Sequence, residues 1–505
     1  MSSFHYDAAS IEEITIAELQ AAMQTGELTA RHLVELYLER IHTLNPMLNA
    51  IIEINPDALD IAHDLDQERA NTGPRGPMHG IPVLLKENIA TVDKMQTTAG
   101  SLALLGSRPP RNAYIVSQLH DAGAIILGKA NLSEWANFRS TTSSSGWSAR
   151  GGQCHNPYVL DRTPCGSSSG SAVAVAANLS AVAIGTETDG SILCPSNTNG
   201  VVGIKPTVGL TSRSGVIPIA HSQDSVGPFG RTVADAAILL GAMTGVDTRD
   251  SATLASKGQF HTDYTRFLDA QGLQGARIGI PRQIYFGYNR HVDDMANAAI
   301  ELMRKQGAII IDPADIPTIQ QISASEAEMT VLLYEFKADL NAYLAQLEQT
   351  EMHTLADLIA FNKAHADEEM PYFEQELFLQ AEETTSLNDP NYLVAREECL
   401  RLSRNEGIDA IMKEHQLDAL VMPTGSPAWC IDLINGDTGA GGCSQIPALA
   451  GYPAISVPAG YLHEVPLGLT FTGRAFSEPT LIRLAYAFEQ ASRVRRPPRY
   501  LPTVQ

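Results

Sequence analysis

Two hydroxyl-rich glycine turns lie near one another in the chain, Pro164-Cys-Gly-Ser-Ser-Ser-Gly-Ser171 and Gly185-Thr-Glu-Thr-Asp-Gly-Ser191. The stretch between them, Ala172 to Ile184, is apolar; it predicts a helix over 172–178 and a short buried strand over 181–184. Glycine permits tight turns and close approach of backbone to ligand. Small residues ahead of a helix leave N–H groups free to hold an oxyanion. Two such turns, packed together by one core segment, bring two serines into one site suited to nucleophilic attack on a carbonyl. Gly/Ser runs are ordinarily linkers, but a linker does not interrupt a continuous apolar pattern. Gly166-Ser-Ser-Ser-Gly170 also matches the G-x-S-x-G nucleophile elbow, with Ser168 as nucleophile, yet the elbow needs a core strand feeding the turn. Asp161-Arg-Thr-Pro-Cys165 is not one.

A serine needs a base. None of the 14 histidines stands in a recognisable triad context. A lysine can serve if burial or neighbouring donors lower its pKa enough to leave a neutral amine. Lys86, directly after the apolar Ile81-Pro-Val-Leu-Leu85, heads the candidates, and it would otherwise be a lysine snorkelling at a strand end. Lys129 and Lys205 remain open as rivals, each near a turn. Ser168 and Thr186 are lesser candidates for orienting the serines.

These groups must be held by surrounding elements. Ile14 to Met23 and Thr29 to Ile41 predict amphipathic helices separated by Gly26, with Thr29 as N-cap. Ile81 to Leu85 and Ala124 to Leu127 predict short buried strands around a helix over Asn112 to Asp121. Further strands are expected over 277–280, 308–311, 417–422, 454–457 and 469–472, and a closing helix over 480–492. The alternation predicts an α/β fold with helices on the faces of a sheet. Between about Ser323 and His415 the sequence turns acidic and helical, with little glycine; most of those charges are expected on a solvated surface.

The 505 residues carry 57 acidic and 35 basic side chains, a net charge of −22 that argues against nucleic acid or an anionic membrane as partner. Hydrophobic residues at 44% and charged residues at 18% provide for a large core. Cys154, Cys165, Cys194, Cys399, Cys430 and Cys443 show no metal-like spacing and are expected as free or buried thiols in a reducing compartment. The start, Met-Ser-Ser-Phe-His-Tyr-Asp, lacks the basic and apolar regions of a secretory signal, and no run is long enough for a membrane span. These features predict a cytoplasmic protein.

Cys165 to Ser171 followed by Thr188-Asp-Gly-Ser-Ile192 resembles the amidase signature family, whose usual forms are Gly-Gly-Ser-Ser-Gly-Gly-Ser and Gly-Gly-Ser-Ile. The resemblance extends to Gly80-Ile-Pro-Val-Leu-Leu-Lys-Glu-Asn-Ile89, Gly203-Ile-Lys-Pro-Thr-Val-Gly209, Gly227-Pro228, Arg231-Thr-Val-Ala-Asp235 and Gly451-Tyr-Pro-Ala-Ile-Ser-Val-Pro-Ala-Gly460. It implies one large domain over 1–505, with a mixed central β-sheet covered by helices on both faces. The core motifs would span about 78–245 and a cap-like helical segment about 323–415. It also implies Ser191 as nucleophile, Ser167 as bridging serine after a cis Gly166–Ser167 bond, and Lys86 as base. Backbone N–H groups of Thr188, Asp189, Gly190 and Ser191 would form the oxyanion hole. No metal or cofactor is implied.

Ser169, Asp189 and Leu193 depart from the usual glycine, glycine and arginine. Asp189 is expected to face away from the oxyanion turn and support it by hydrogen bonds. The stretches 131–139 and 146–152 resemble the branch of peptide amidases, which release ammonia from C-terminal carboxamides; Trp135, Phe138 and Trp147 would then line a substrate pocket. A general aryl or aliphatic acylamidase and the amidase subunit of an amidotransferase are the alternatives. The partner expected is a small-molecule or peptide amide, and the assembly a monomer or homodimer.

Overall fold

The structure, a computed structural model, describes residues 6–505; Met1 to His5, on which part of the N-terminal reading rests, lie outside them. In chain order the strands are β1 (Ile51–Ile54), β2 (Pro82–Lys86), β3 (Ile125–Ala130), β4 (Trp147–Ser148), β5 (Gly152–Gln153), β6 (Val182–Glu187), β7 (Val202–Lys205), β8 (Ser225–Gly230), β9 (Arg277–Gly279), β10 (Ile309–Ile311), β11 (Ala419–Pro423), β12 (Ala454–Leu462) and β13 (Val465–Thr472). β4 and β5 form a small separate ribbon. The other 11 make one mixed sheet in the order β1-β3-β2-β6-β8-β7-β12-β13-β11-β9-β10.

At the centre of the first half, β2 lies parallel to both β3 and β6. Every residue of β2, β3, β6, β8, β11 and β13 is buried, which requires cover on both faces of the sheet. β2 begins at Pro82, where a missing ladder N–H is tolerated, and continues Val83-Leu84-Leu85 into Lys86. The turn helix spans Ser169–Ala176 and so starts inside the serine run, earlier than its apolar residues indicate. β6 likewise extends past Ile184 to Glu187.

Thr15 forms a capping box with Glu18, and Thr29 caps the next helix as expected, although that helix runs on to Leu48 with Pro46 inside it. Sequence periodicity missed β1, β7 and β8. β8 reads Ser-Val-Gly-Pro-Phe-Gly, a turn composition; antiparallel pairing with β6 and β7 makes it a strand nevertheless.

The acidic segment forms helices Ala327–Leu344, Leu355–Ala364, Glu376–Glu382 and Pro390–Leu400, followed by a π-helical stretch, Arg401–Ile408. Its charges lie largely outside, but Phe336, Leu340 and Phe378 pack against Leu132, Trp135 and Phe138 in one apolar cluster. One ion network crosses the same contact. Arg139, fully buried, meets Glu134 at 2.7 Å, donates to the Glu369 carbonyl and stacks over the Phe373 ring at 4.3 Å.

Removing a buried cation leaves its carboxylates uncompensated in a low dielectric. Arg139→Met should therefore lose about 3–5 kcal/mol in urea unfolding. Arg401→Gln, at an ion pair about half exposed on both sides, should lose less than about 1 kcal/mol.

Candidate active site

Parallel pairing of β2 with β6 brings their C-terminal ends to one edge of the sheet, where an α/β fold places its ligands. β2 ends on Lys86 and β6 runs through Thr186 to Glu187. The fully buried Lys86 Nζ donates to Ser167 Oγ at 2.7 Å, to Thr186 Oγ1 at 2.9 Å and to the Thr186 carbonyl at 3.3 Å. Asn88 Nδ2 donates to the same threonine hydroxyl at 3.0 Å and fixes its rotamer. Burial lowers the Lys86 pKa to about 7, against an opposing pull from the Asp224 and Glu187 charges. The rival lysines are also buried but are spent on backbone. Lys129 Nζ donates to the Ile89 carbonyl at 2.6 Å and Thr97 Oγ1 at 3.0 Å; Lys205 Nζ donates to the Tyr452 carbonyl at 2.9 Å. Among these three, Lys86 alone reaches a serine.

The Gly166–Ser167 peptide bond is cis. The Ser167 carbonyl accepts from the Ser133 N–H at 3.0 Å, and the Ser168 N–H donates to the Ser191 carbonyl at 3.2 Å, which ties the two turns together. Ser168 Oγ donates to the Thr186 carbonyl at 3.0 Å. Close approach is essential at two glycines. A Cβ on Gly170 would collide with the Ala50 carbonyl oxygen, and one on Gly185 would sit 2.6 Å from Ser168 Oγ.

A disulfide between Cys165 and Cys194, with Cα atoms 5.9 Å apart, adds a covalent link between the turns. This corrects the expectation of six free thiols, which holds for Cys154, Cys399, Cys430 and Cys443. The bonded pair is 29 residues apart, so only the packing of the two turns discloses it.

Beyond β6, the Glu187 carboxylate accepts from the N–H groups of Ile192 (2.6 Å) and Leu193 (2.8 Å), bending residues 188–191 into a compact turn. Thr188 Oγ1 donates to Asp224 Oδ1 at 2.6 Å, and Gly190 takes φ +83°. Among the described residues the N–H groups of Asp189, Gly190 and Ser191 have no protein partner, nor does the Ser191 hydroxyl. Three free N–H groups on one tight turn make a concave set of donors of the kind that binds anions.

Asp189 does not turn away as expected. It lines the cavity beside the turn and is exposed there, next to Ser444 and the half-buried Glu328. Desolvation raises the Asp189 carboxyl, and desolvation together with the Asp189 charge raises Glu328 to about 8.

That cavity, about 290 Å³, is walled by Gly166 and Gly190 on one side and by Ser426, Trp429, Asp437 and Ser444 on the other. Trp135, Phe138 and Trp147 are not among its lining residues. They are 2%, 6% and 5% exposed and make edge contacts with Phe378, Phe336 and Phe373, where they anchor the acidic helices. The ring at the cavity is Trp429. The glycine-rich run Gly436 to Gly442 beside it was the available signal, since a Cβ on Gly439 would collide with that ring.

Comparisons with known proteins agree with one another. The family model described as Amidase matches residues 32–482. The chain is 48% identical over 499 residues to a protein of Arabidopsis thaliana named "probable amidase", covering 97% of this chain and 92% of that one. It is 34% identical to a glutamyl-tRNA(Gln) amidotransferase subunit of Chloroflexus aurantiacus, over 95% and 97% of the two chains. The crystal structure of native peptide amidase from Stenotrophomonas maltophilia superposes with a TM-score of 0.92 at 52% identity, over 97% of this chain and 99% of that one.

An amine that is half neutral near pH 7 and one hydrogen bond from a serine can accept a proton. Turnover that draws on Lys86 should rise about tenfold per pH unit below its pKa of about 7 and level off above it, because only the neutral amine accepts. A kcat/KM profile checks this; one that stays flat down to pH 5 contradicts it.

Proposed function

This chain belongs to the amidase family and is an amide-hydrolysing enzyme, and from that premise we propose that it removes the C-terminal carboxamide of peptides and releases ammonia. The observation that carries the chemistry is the 2.7 Å contact between Lys86 Nζ and Ser167 Oγ, made by an amine whose pKa is about 7. The reading of the substrate is supported by the 52% identity to peptide amidase along nearly the full length of both chains.

In this mechanism Ser191 Oγ attacks the carboxamide carbon and its proton passes through Ser167 Oγ to Lys86. The oxyanion settles in the Thr188–Ser191 turn, on the N–H groups of Asp189, Gly190 and Ser191. The proton then returns along the same path to the leaving nitrogen, ammonia departs, and an acyl-enzyme remains on Ser191. Water attacks the acyl carbon, with Ser167 and Lys86 taking its proton, and the peptide leaves with a free carboxylate. No step draws on a cofactor. Each donor in the turn is worth about 3–4 kcal/mol to the transition state, so backbone placement matters more than the turn's side chains.

Ser191→Ala should lower kcat by at least about 10⁴-fold while the unfolding midpoint stays where it is. Incubation with a short peptide amide should yield ammonia and a peptide that has gained one acid group, without internal cleavage, as followed by mass. Silence on peptide amides with turnover of an anilide or simple aliphatic amide would instead place the enzyme among the acylamidases.

Among the described residues no helix is long and apolar enough to cross a membrane. The reading keeps the cytoplasm as compartment and a monomer or homodimer as assembly. There, the Cys165–Cys194 bond would face a reducing thiol pool. Treatment with a phosphine reductant, with thiols and rate followed together, tests that placement. Two new thiols with undiminished turnover agree with it; turnover lost in step with the thiols argues for an oxidising compartment.

A further inference from the structure

The cavity lined by Gly166, Asp189 and Gly190 has a lopsided charge. Its charged lining residues are Asp189 and Asp437, with no lysine, arginine or histidine among them. Asp437 is firmly placed. Its Oδ2 accepts from Ser145 Oγ at 2.5 Å and from the Ser145 N–H at 3.3 Å, while Oδ1 accepts from the same N–H at 3.2 Å and from Trp429 Nε1 at 3.1 Å. Desolvation raises the Asp437 carboxyl above its ordinary value, while these donors oppose that shift and hold the group's orientation, so a substrate meets a fixed side chain rather than a mobile one. On the other wall Asp189 lines the cavity next to Gly190, and Glu328 stands near it. Trp429 lies next to Asp437 on the cavity wall, and a carboxylate beside an indole is a pairing that accepts ammonium or guanidinium groups.

Like charges gathered in one concave cleft add their fields on a bound ligand, although the residues that carry them here, Asp189 and Asp437, are exposed. Resting on the reading of this enzyme as a peptide amidase, we propose that Asp437, with Asp189 opposite, is a specificity determinant that selects peptide amides bearing a positive charge near the carboxamide over those bearing a negative one. The same field disfavours the carboxylate that hydrolysis creates, so the product leaves the site more readily than the substrate. Asp437 acts on the bound peptide beyond the reacting bond and takes no part in the proton path.

The test uses N-acetylated dipeptide amides that differ only at the first residue: lysine, norleucine or glutamate. In the unmodified enzyme kcat/KM should fall in that order, with lysine over glutamate by on the order of tenfold. The ratio should shrink toward one in Asp437→Asn. Because each ratio is internal to one enzyme, a uniform change in activity does not disturb it. Should Asp437→Asn fail to fold, the same ratio in the unmodified enzyme must still contract when salt is raised from 50 mM to 500 mM. Equal rates for the three amides, or a ratio indifferent to both salt and Asp437→Asn, overturn the inference while norleucine turnover upholds the peptide amidase reading. Absence of turnover on all three overturns both.

Discussion

An ammonium group held out of water without a carboxylate in contact is the constraint on which this site depends. Lys86 is surrounded by two hydroxyls and a carbonyl, which can bond the amine without locking it in the charged form. Burial then lowers its pKa to about 7. Asp224 and Glu187 are near enough to raise it, but each is committed elsewhere. Asp224 accepts from Thr188 Oγ1 and from the N–H groups of Ile219 and Ala220; Glu187 caps Ile192 and Leu193. Arg139 shows the opposite arrangement, a buried cation in direct contact with Glu134, fit for fastening and useless as a base. Moving the acids one layer back turns a structural cation into one poised to exchange a proton.

The acids that poise Lys86 also shape the turn next to it. Glu187 and Asp224 each fix one end of residues 188–191, so the three free N–H groups keep one geometry without using their own hydrogen bonds. This explains why departures from the family pattern leave the turn intact. Ser169 directs its hydroxyl to the Cys165 carbonyl at 2.6 Å, inside the serine run. Leu193, where arginine is common, enters an apolar cluster with Tyr285 and Ile446 while its N–H is capped by Glu187. Asp189 can project into the cavity because its N–H, rather than its side chain, belongs to that set of donors.

The sheet strands rich in branched residues, the two glycine turns and Lys86 were legible in the sequence because each follows a local rule of pattern or turn chemistry. β8 was not, since Gly227, Pro228 and Gly230 carry no strand signal and only pairing with β6 and β7 creates one. The Cys165–Cys194 bond was hidden for the same reason: it depends on two turns meeting. The aromatic residues expected in the pocket illustrate a third limit. Trp135, Phe138 and Trp147 lie close to the serine turns in sequence, but their rings pack against the acidic segment, whereas Trp429 and Asp437 reach the cavity from beyond that segment in the chain. Proximity along the chain misjudged which aromatic ring lines that cavity.

The size of the fold follows from the chemistry it shelters. Lys86, Lys129 and Lys205 are all fully buried, and their pKa values lie near 7, 8 and 8. A base whose pKa falls on folding opposes folding at every pH below its unfolded value, because the unfolded chain binds the proton more readily. The penalty is complete below the folded pKa and fades only as the medium approaches the ordinary range of lysine. At neutral pH all three therefore weigh against the native state. A small domain, with little apolar surface to bury per residue, could not tolerate this load. An 11-stranded sheet covered on both faces can, and Lys129 and Lys205 return part of the cost by bonding carbonyls that would otherwise be unsatisfied in the interior. Lys86 returns less, since two of its three partners are hydroxyls and its bond to the Thr186 carbonyl is long at 3.3 Å; of the three buried lysines it is the one that reaches a serine.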